Sequence, residues 1–309
     1  MKILVTGAAG FIGSNLCDYL FDNGHNIIAI DNFSSGKKSN LSLILDKIEL
    51  HNINIEDFDF SKLSGVDAVV HLAAQASVPL SVANFYESSS SNLLGTLKVI
   101  EHCRVSQIPL IYASSSAVYG NLELGDDKSE EIDLLTPYAA DKFAMEIYAK
   151  TANKLYQLSS VGLRFFNVYG PRQDPNSPYS GVISIFSDRM LKGQGIVING
   201  GYQTRDFVFV KDVVNTIYQA IALASNKTVC EVSNVLTGRS VTINFLADKM
   251  MDIIDVEVDK KYNNLSLGDP EKSEGAVVKM VKLFSNEIDQ FTTLEKGLEE
   301  TIQYIRNVK

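Results

Sequence analysis

Short runs of branched apolar residues alternate with longer amphipathic stretches through the first half of the chain. KILVTG, NIIAID, DAVVHLAA, PLIYASS and SSVGLRFFN are too short for helices and rich in branched side chains, so each reads as a strand buried on both faces. Between them, residues 12–22, 88–103 and 137–155 carry apolar positions at helical spacing. Alternation of this kind predicts a parallel sheet wrapped by helices on both sides. After about Gly170 the texture changes. PRQDPNSPYSG is dense in Pro, Asn, Ser and Gly, which marks an ordered loop or a domain boundary. DFVFV and residues 213–224 read as one more strand and helix, and the remainder is weaker in pattern.

Composition narrows the class without naming it. A length of 309 residues suggests one large or two modest domains, and 45% hydrophobic with 21% charged residues is ordinary for a soluble globular chain. A net charge of −9 argues against a nucleic-acid partner; an anionic substrate would need only a few well-placed arginines. Cys17, Cys103 and Cys230 are odd in number and widely spaced, as expected for reduced thiols. His25, His51, His71 and His102 form no ligand pattern, so no metal is expected and each histidine reads as a loop or packing residue. No apolar run reaches membrane-spanning length, and glycines interrupt the first one before it leads into a helix pattern. The expected setting is cytoplasmic, with no membrane partner.

In KILVTGAAGFIGSNL, Gly7, Gly10 and Gly13 sit where a strand hands over to a helix. A tight turn needs a positive φ, which glycine tolerates. A pyrophosphate can approach backbone N–H groups only where side chains are missing, and a helix N-terminus favours its charge. Alone, such a triplet is equally a structural turn. The second strand, however, ends at Asp31, near where an acidic residue that accepts ribose hydroxyls is expected. A carboxylate there repels a 2′-phosphate, so NAD is expected over NADP.

A second constellation lies downstream. PLIYASS runs into Ser114, Ser115 and Ser116 and then VYG, while LLTPYAADKFAMEIY opens a helix with Thr136 as N-cap and Pro137 in its first turn. Tyr138 and Lys142 are one turn apart on that helix. An ammonium near a phenol favours the phenolate, and a nearby serine hydroxyl can share a substrate proton. Together these make a general base for an alcohol being oxidised. A Tyr and a Lys one turn apart also occur by chance on many helices; the serine-ended strand and the glycine turn favour function.

At this point the chain resembles the extended short-chain dehydrogenase/reductases, specifically the NAD-dependent nucleotide-sugar epimerase/dehydratase group. The likeness runs nearly end to end, through TGAAGFIGSNL, DNFSSGKKSNL, HLAAQASVP, SNLLGTL, SSSAVYG, YAADK, RFFNVYGPRQDP and GGYQTRDFVFVKDVV. The resemblance implies a Rossmann-type doubly wound parallel sheet with a smaller C-terminal α/β substrate domain. An NAD-binding domain would span 1–170, with about 207–232 returning to it, and a nucleotide-sugar-binding domain would span 171–206 and 233–309.

By position, the resemblance makes Ser115, Tyr138 and Lys142 the catalytic set. Gly7, Gly10, Phe11, Ile12, Gly13, Asp31, Asn32, Asn54, Ile55, Ala73, Asn92, Tyr138 and Lys142 would contact NAD. Asn54 stands where an aspartate commonly faces the adenine, and an amide can still hydrogen-bond there. Ser115, Asn167, Val182, Gln203, Arg205, Asp269 and Ser273 would line the substrate. Arg205 is the phosphate partner through its planar fork of donors; the blander reading is a surface salt bridge to Asp206 or a neighbour.

Dehydratases of this group place Asp-Glu directly after the catalytic hydroxyl residue, where Ser116 and Ala117 stand here, and the related decarboxylases carry a glutamate at Ala117. A 4-epimerase needs neither, so the resemblance implies C4 epimerisation of a UDP-hexose or UDP-N-acetylhexosamine through a transient 4-keto sugar. The alternatives are another nucleotide-sugar epimerase or 4-ketoreductase, or a non-catalytic NAD-binding regulator. Two departures matter. Ser266 occupies the position of a diphosphate-binding arginine, for which Lys272 is a candidate substitute; Ser273 stands where a tyrosine would exclude N-acetyl sugars. The group also implies a homodimer built on two helices, about residues 84–103 and 137–155.

Overall fold

The computed structural model describes residues 1–177, 180–265, 269–284 and 288–308. Its elements are, in order, β1 (Lys2–Thr6), α1 (Phe11–Asp22), β2 (Asn26–Asp31), β3 (Glu49–Asn52), β4 (Ala68–His71), α2 (Val78–Ala83), α3 (Phe85–Ser106), β5 (Leu110–Ser115), α4 (Pro137–Tyr156) and β6 (Ser160–Phe165). There follow β7 (Asn167–Tyr169), α5 (Val182–Leu191), β8 (Ile196–Asn199), β9 (Thr204–Phe209), α6 (Val210–Asn226), β10 (Cys230–Val235), β11 (Ser240–Thr242), α7 (Ile243–Ile254), β12 (Lys260–Asn263), α8 (Val278–Phe284) and α9 (Leu294–Asn307).

The apolar runs become the centre of a seven-stranded sheet of order β10-β6-β5-β4-β1-β2-β3. The pairs β1–β2, β1–β4, β2–β3 and β4–β5 are parallel. Every residue of β4 and β6 is buried, as an uninterrupted apolar run requires when helices cover both faces. The order reverses between β1 and β4, and ligands of open α/β sheets bind beyond the carboxyl ends of strands at such a switch. Leu4, Ile28, Ile30 and Val69 from the sheet pack with Val99, Cys103 and Met145 from α3 and α4 into one core. Each such side chain contributes roughly 1.5–3 kcal/mol of burial.

Two compact units result. The first gathers Met1–Ser115, Thr136–Arg164 and Val214–Ser233; the second gathers Ser116–Leu135, Phe165–Val213 and Asn234–Lys309. The stretch 207–232 is therefore divided, because β9 pairs with β7 and β11 in a separate three-stranded sheet instead of joining the large one. The second unit has its own core, in which Phe186, Ile198, Phe209, Leu246 and Ile302 meet. The run SSVGLRFFN is likewise divided: β6 ends at Phe165 and β7 begins at Asn167.

Candidate functional site

The turn after β1 closes only because it lacks side chains. Gly7 has φ +69°, and a Cβ there would lie 2.8 Å from the amide N of Ala73. A Cβ on Gly13 would come within 2.0 Å of the Gly7 carbonyl oxygen. Helix α1 starts at its N-cap Gly10 with no side-chain cap. The N–H groups of its first turn, which includes Phe11 and Ile12, are the ones a helix leaves for a ligand anion. This cradle, at the switch between β1 and β4, fits a pyrophosphate.

Asp31 at the end of β2 is 7% exposed, and its carboxylate accepts from the N–H of Ala9 at 2.9 Å and of Phe33 at 2.7 Å. Burial raises its pKa, and the N–H bonds from Phe33, Ala9 and Gly10 act the other way. The oxygens keep lone pairs for ribose hydroxyls. Gly36, which pattern reading passed over, lets the following loop approach: a Cβ there would lie 2.9 Å from Asp31 Oδ1. Its signal was the glycine that ends DNFSSG. Asn32 donates to Asn54 Oδ1 at 2.9 Å, so these two expected contacts form one exposed pair. Ile55 is 8% exposed in the core against Gly95. Asn92 commits its amide to the loop after β4, accepting from Gln75 N at 2.8 Å and donating to Gln75 O and to Asp141 Oδ2 at 3.0 Å. Its side chain holds the protein's own backbone.

Ser115, Tyr138 and Lys142 come together in the first unit. Thr136 caps α4 through Ala139 N–H with Pro137 in the first turn, as the sequence predicts. The Tyr138 phenol and Ser115 hydroxyl are hydrogen-bonded. Lys142 Nζ donates to the Ala113 carbonyl at 2.9 Å and stands 5.7 Å from the Tyr138 ring centroid. The expectation that the lysine brings the phenol down is not met in this form. Burial raises the Tyr138 pKa above its ordinary value, the Ser115 bond lowers it, and the Asp141 charge adds to the rise. Burial also lowers Lys142, to about 8.

Apart from Ser115, the expected substrate residues lie in the second unit. Arg205 on β9 is 7% exposed; its guanidinium donates to the Thr204 carbonyl at 2.6 Å and is ion-paired with Asp269. The ion pair of this buried guanidinium is with Asp269, not with Asp206. Adjacent strand residues face opposite ways, and Asp206 is fully buried, accepting from Thr237 and Arg239. Gln203 braces the glycine turn before it, accepting from Gly201 N and donating to Asn199 O, each at 2.5 Å. Asn167 donates to the Asp206 carbonyl, and Val182 opens α5. Ser273 is held in register by its N–H to Thr204 O at 3.2 Å and by Ser240 Oγ on its carbonyl. Ser266, the position of the missing arginine, lies outside the described residues.

Among the described residues no cluster could hold a metal ion, and no helix is long and apolar enough to cross a membrane.

The sequence model of the NAD dependent epimerase/dehydratase family matches residues 3–235. The chain belongs to that family, and its cofactor is NAD. It is similar to a UDP-N-acetylglucosamine 4-epimerase from Methanobrevibacter ruminantium M1, solved with UDP-N-acetylmuramic acid. The two are 37% identical, with TM-score 0.91 over 100% of this chain and 99% of that one. A UDP-glucose 4-epimerase from Thermotoga maritima, solved with UDP-glucose, is 35% identical, with TM-score 0.91 over 100% and 99% of the two chains. A UDP-glucuronic acid 4-epimerase from Bacillus cereus, solved with UDP-glucuronic acid and NAD, is 30% identical, with TM-score 0.92 over 100% of both.

Proposed function

We propose that this protein is an isomerase that inverts C4 of a UDP-hexose or UDP-N-acetylhexosamine. The observation that carries the reading is the hydrogen bond between Ser115 and Tyr138 beside Lys142. The next two positions, Ser116 and Ala117, supply none of the acid groups that dehydration requires. Tyr138 takes the proton of the C4 hydroxyl, and Ser115 shares it through their hydrogen bond. The glycine turn at Gly7, Gly10 and Gly13 would hold NAD, which would supply reversible hydride acceptance at C4 and a positive charge that favours the Tyr138 phenolate. Lys142 adds its ammonium charge from the same helix face. After the 4-keto sugar turns about its diphosphate, Tyr138 gives the proton back on the other face of C4. No net redox change results, so NAD stays resident.

Arg205 is the phosphate partner in this reading, exchanging Asp269 for the diphosphate. The Asp269 side chain is 42% exposed, so releasing it into water costs little. The test is incubation of purified protein with UDP-glucose, UDP-N-acetylglucosamine and UDP-glucuronic acid without added NAD. A C4 epimer of at least one is expected. No epimer from any of them, with NAD bound to the protein, would overturn the assignment.

The same reading includes a homodimer through α3 and α4, which pack against each other. Leu94 on α3 and Ile147, Tyr148 and Leu155 on α4 are 55%, 49%, 44% and 66% exposed. Apolar exposure of this extent on paired helices suits a self-complementary interface. Sedimentation should give a dimer, and Ile147→Asp should shift it to monomer.

A further inference from the structure

The sixth strand carries an arginine in a run where every neighbour is buried, and that charge must be answered inside the protein. Arg164 is 7% exposed at its side chain and faces Glu146 of α4, 6% exposed. The pair is bidentate: Nε donates to Oε1 at 2.8 Å and Nη2 to Oε2 at 2.6 Å. The Ser114 hydroxyl donates to the same Oε1 at 2.5 Å.

The wider pattern is a register. Tyr138, Lys142 and Glu146 lie at successive turns of one α4 face. Each meets one of three consecutive residues of β5: Tyr138 bonds Ser115, Lys142 bonds the Ala113 carbonyl, and Glu146 bonds Ser114. The Glu146 contact is tied onward to a third element, β6, by a rigid two-bond fork of side chains. The first turn of α4 is instead held by single bonds, Tyr138 N–H to Ser81 Oγ and Asn92 to Asp141. A buried ion pair recovers little net stability after desolvation, and an apolar pair of similar volume often serves stability as well. Holding one rotation of α4 on the sheet is something the apolar pair would not do.

We propose that Glu146 and Arg164, with Ser114, are positioning residues: the buried pair sets the rotation of α4 so that Tyr138 meets Ser115 and Lys142 meets the Ala113 carbonyl. The inference rests on the reading of those three as the catalytic set. Neither Glu146 nor Arg164 is assigned contact with substrate or cofactor.

The decisive variant is the double replacement Glu146→Leu with Arg164→Met, which leaves no unpaired buried charge. It should keep its Tm within a few degrees, its bound NAD and its KM. Its kcat should fall by about 10²-fold, the scale of a small misplacement of catalytic groups. Arg164→Lys keeps the charge without the fork and should fall between the two. Hydrogen exchange reads the register without any substrate: amides of residues 138–146 should exchange faster in the double variant while those of β1 do not change. A folded double variant with wild-type kcat, or with unchanged exchange in 138–146, would overturn the proposal. So would losses of kcat, KM and Tm in common proportion. If the double variant does not fold, Ser114→Ala decides, since it cuts only the link to β5. Its kcat should drop at unchanged Tm and KM, and a wild-type kcat overturns the proposal. A wild-type protein that epimerises nothing fails the epimerase reading instead, and the exchange experiment still tests the register.

Discussion

The hydroxyl of Thr6 donates to Nδ1 of His71 across 2.7 Å, and this bond fixes which ring nitrogen carries the proton. Thr6 Oγ1 already accepts from the N–H groups of Leu72 and Ala73, each at 3.2 Å, so its own proton goes to the ring. Nε2 must then be the donor, to Thr96 Oγ1 at 3.1 Å, and Thr96 donates in turn to the Asn92 carbonyl at 2.7 Å. One chain of bonds thus ties the residue before Gly7 to the residue that holds the loop after β4. The sequence reading of His71 as a packing residue is correct as to burial and silent on this role.

His71 should remain neutral with its proton on Nε2 throughout the working range. Burial, then the Lys142 charge, lowers its pKa from 6.5 to about 3. Between those values the unfolded chain binds a proton that the folded one does not. The contribution to stability is therefore whole above about pH 6.5 and is lost as pH falls toward 3. Nitrogen NMR should show a single tautomer that does not titrate from pH 8 to about 5. Urea midpoints should drop less between pH 7 and about 5 in His71→Gln than in the wild type.

Tyr138→Phe should lower kcat by roughly 10²–10⁴-fold, the usual worth of a positioned acid–base group. Its Tm and NAD content should hardly change, because only the hydroxyl bonded to Ser115 is removed. Steady-state kinetics with NAD measured after denaturation separates the two effects.

Activity should fall on the alkaline side. Burial lowers Lys142 to about 8, so its ammonium predominates below that pH and is lost above it. In the proposed mechanism that charge supports the phenolate once NAD is bound, so kcat should decline as pH rises past about 8. A pH–rate profile still climbing from pH 8 to about 10 would remove Lys142 from this role.

Ser273→Tyr should lower turnover of UDP-N-acetylglucosamine relative to that of UDP-glucose. The segment is pinned to Thr204 and Ser240, so a larger side chain cannot be absorbed by sliding the register. Discrimination built on pocket volume alone is modest, about 10–200-fold, and competition between the two sugars in one tube would measure it.

Much of this protein is legible along the chain because the features involved are local. Apolar runs mark the central strands, and the half-exposed Glu49–Asn52 strand, with no such run, escapes notice. The turn at Gly7 and Gly13 and the cap at Thr136 depend on residues within a turn or two of one another. Tyr138 and Lys142 show their common face through helical spacing. Partnerships between elements leave no such trace. Arg164 in a buried strand announces that a counter-charge must exist, but only packing selects Glu146, eighteen residues away. Thr6 finds His71 across sixty-five residues and Arg205 finds Asp269 across sixty-four. Local sterics and burial are written in residue order; the pairing of buried polar groups is decided when the sheet brings distant ends together, because there water no longer serves as the partner.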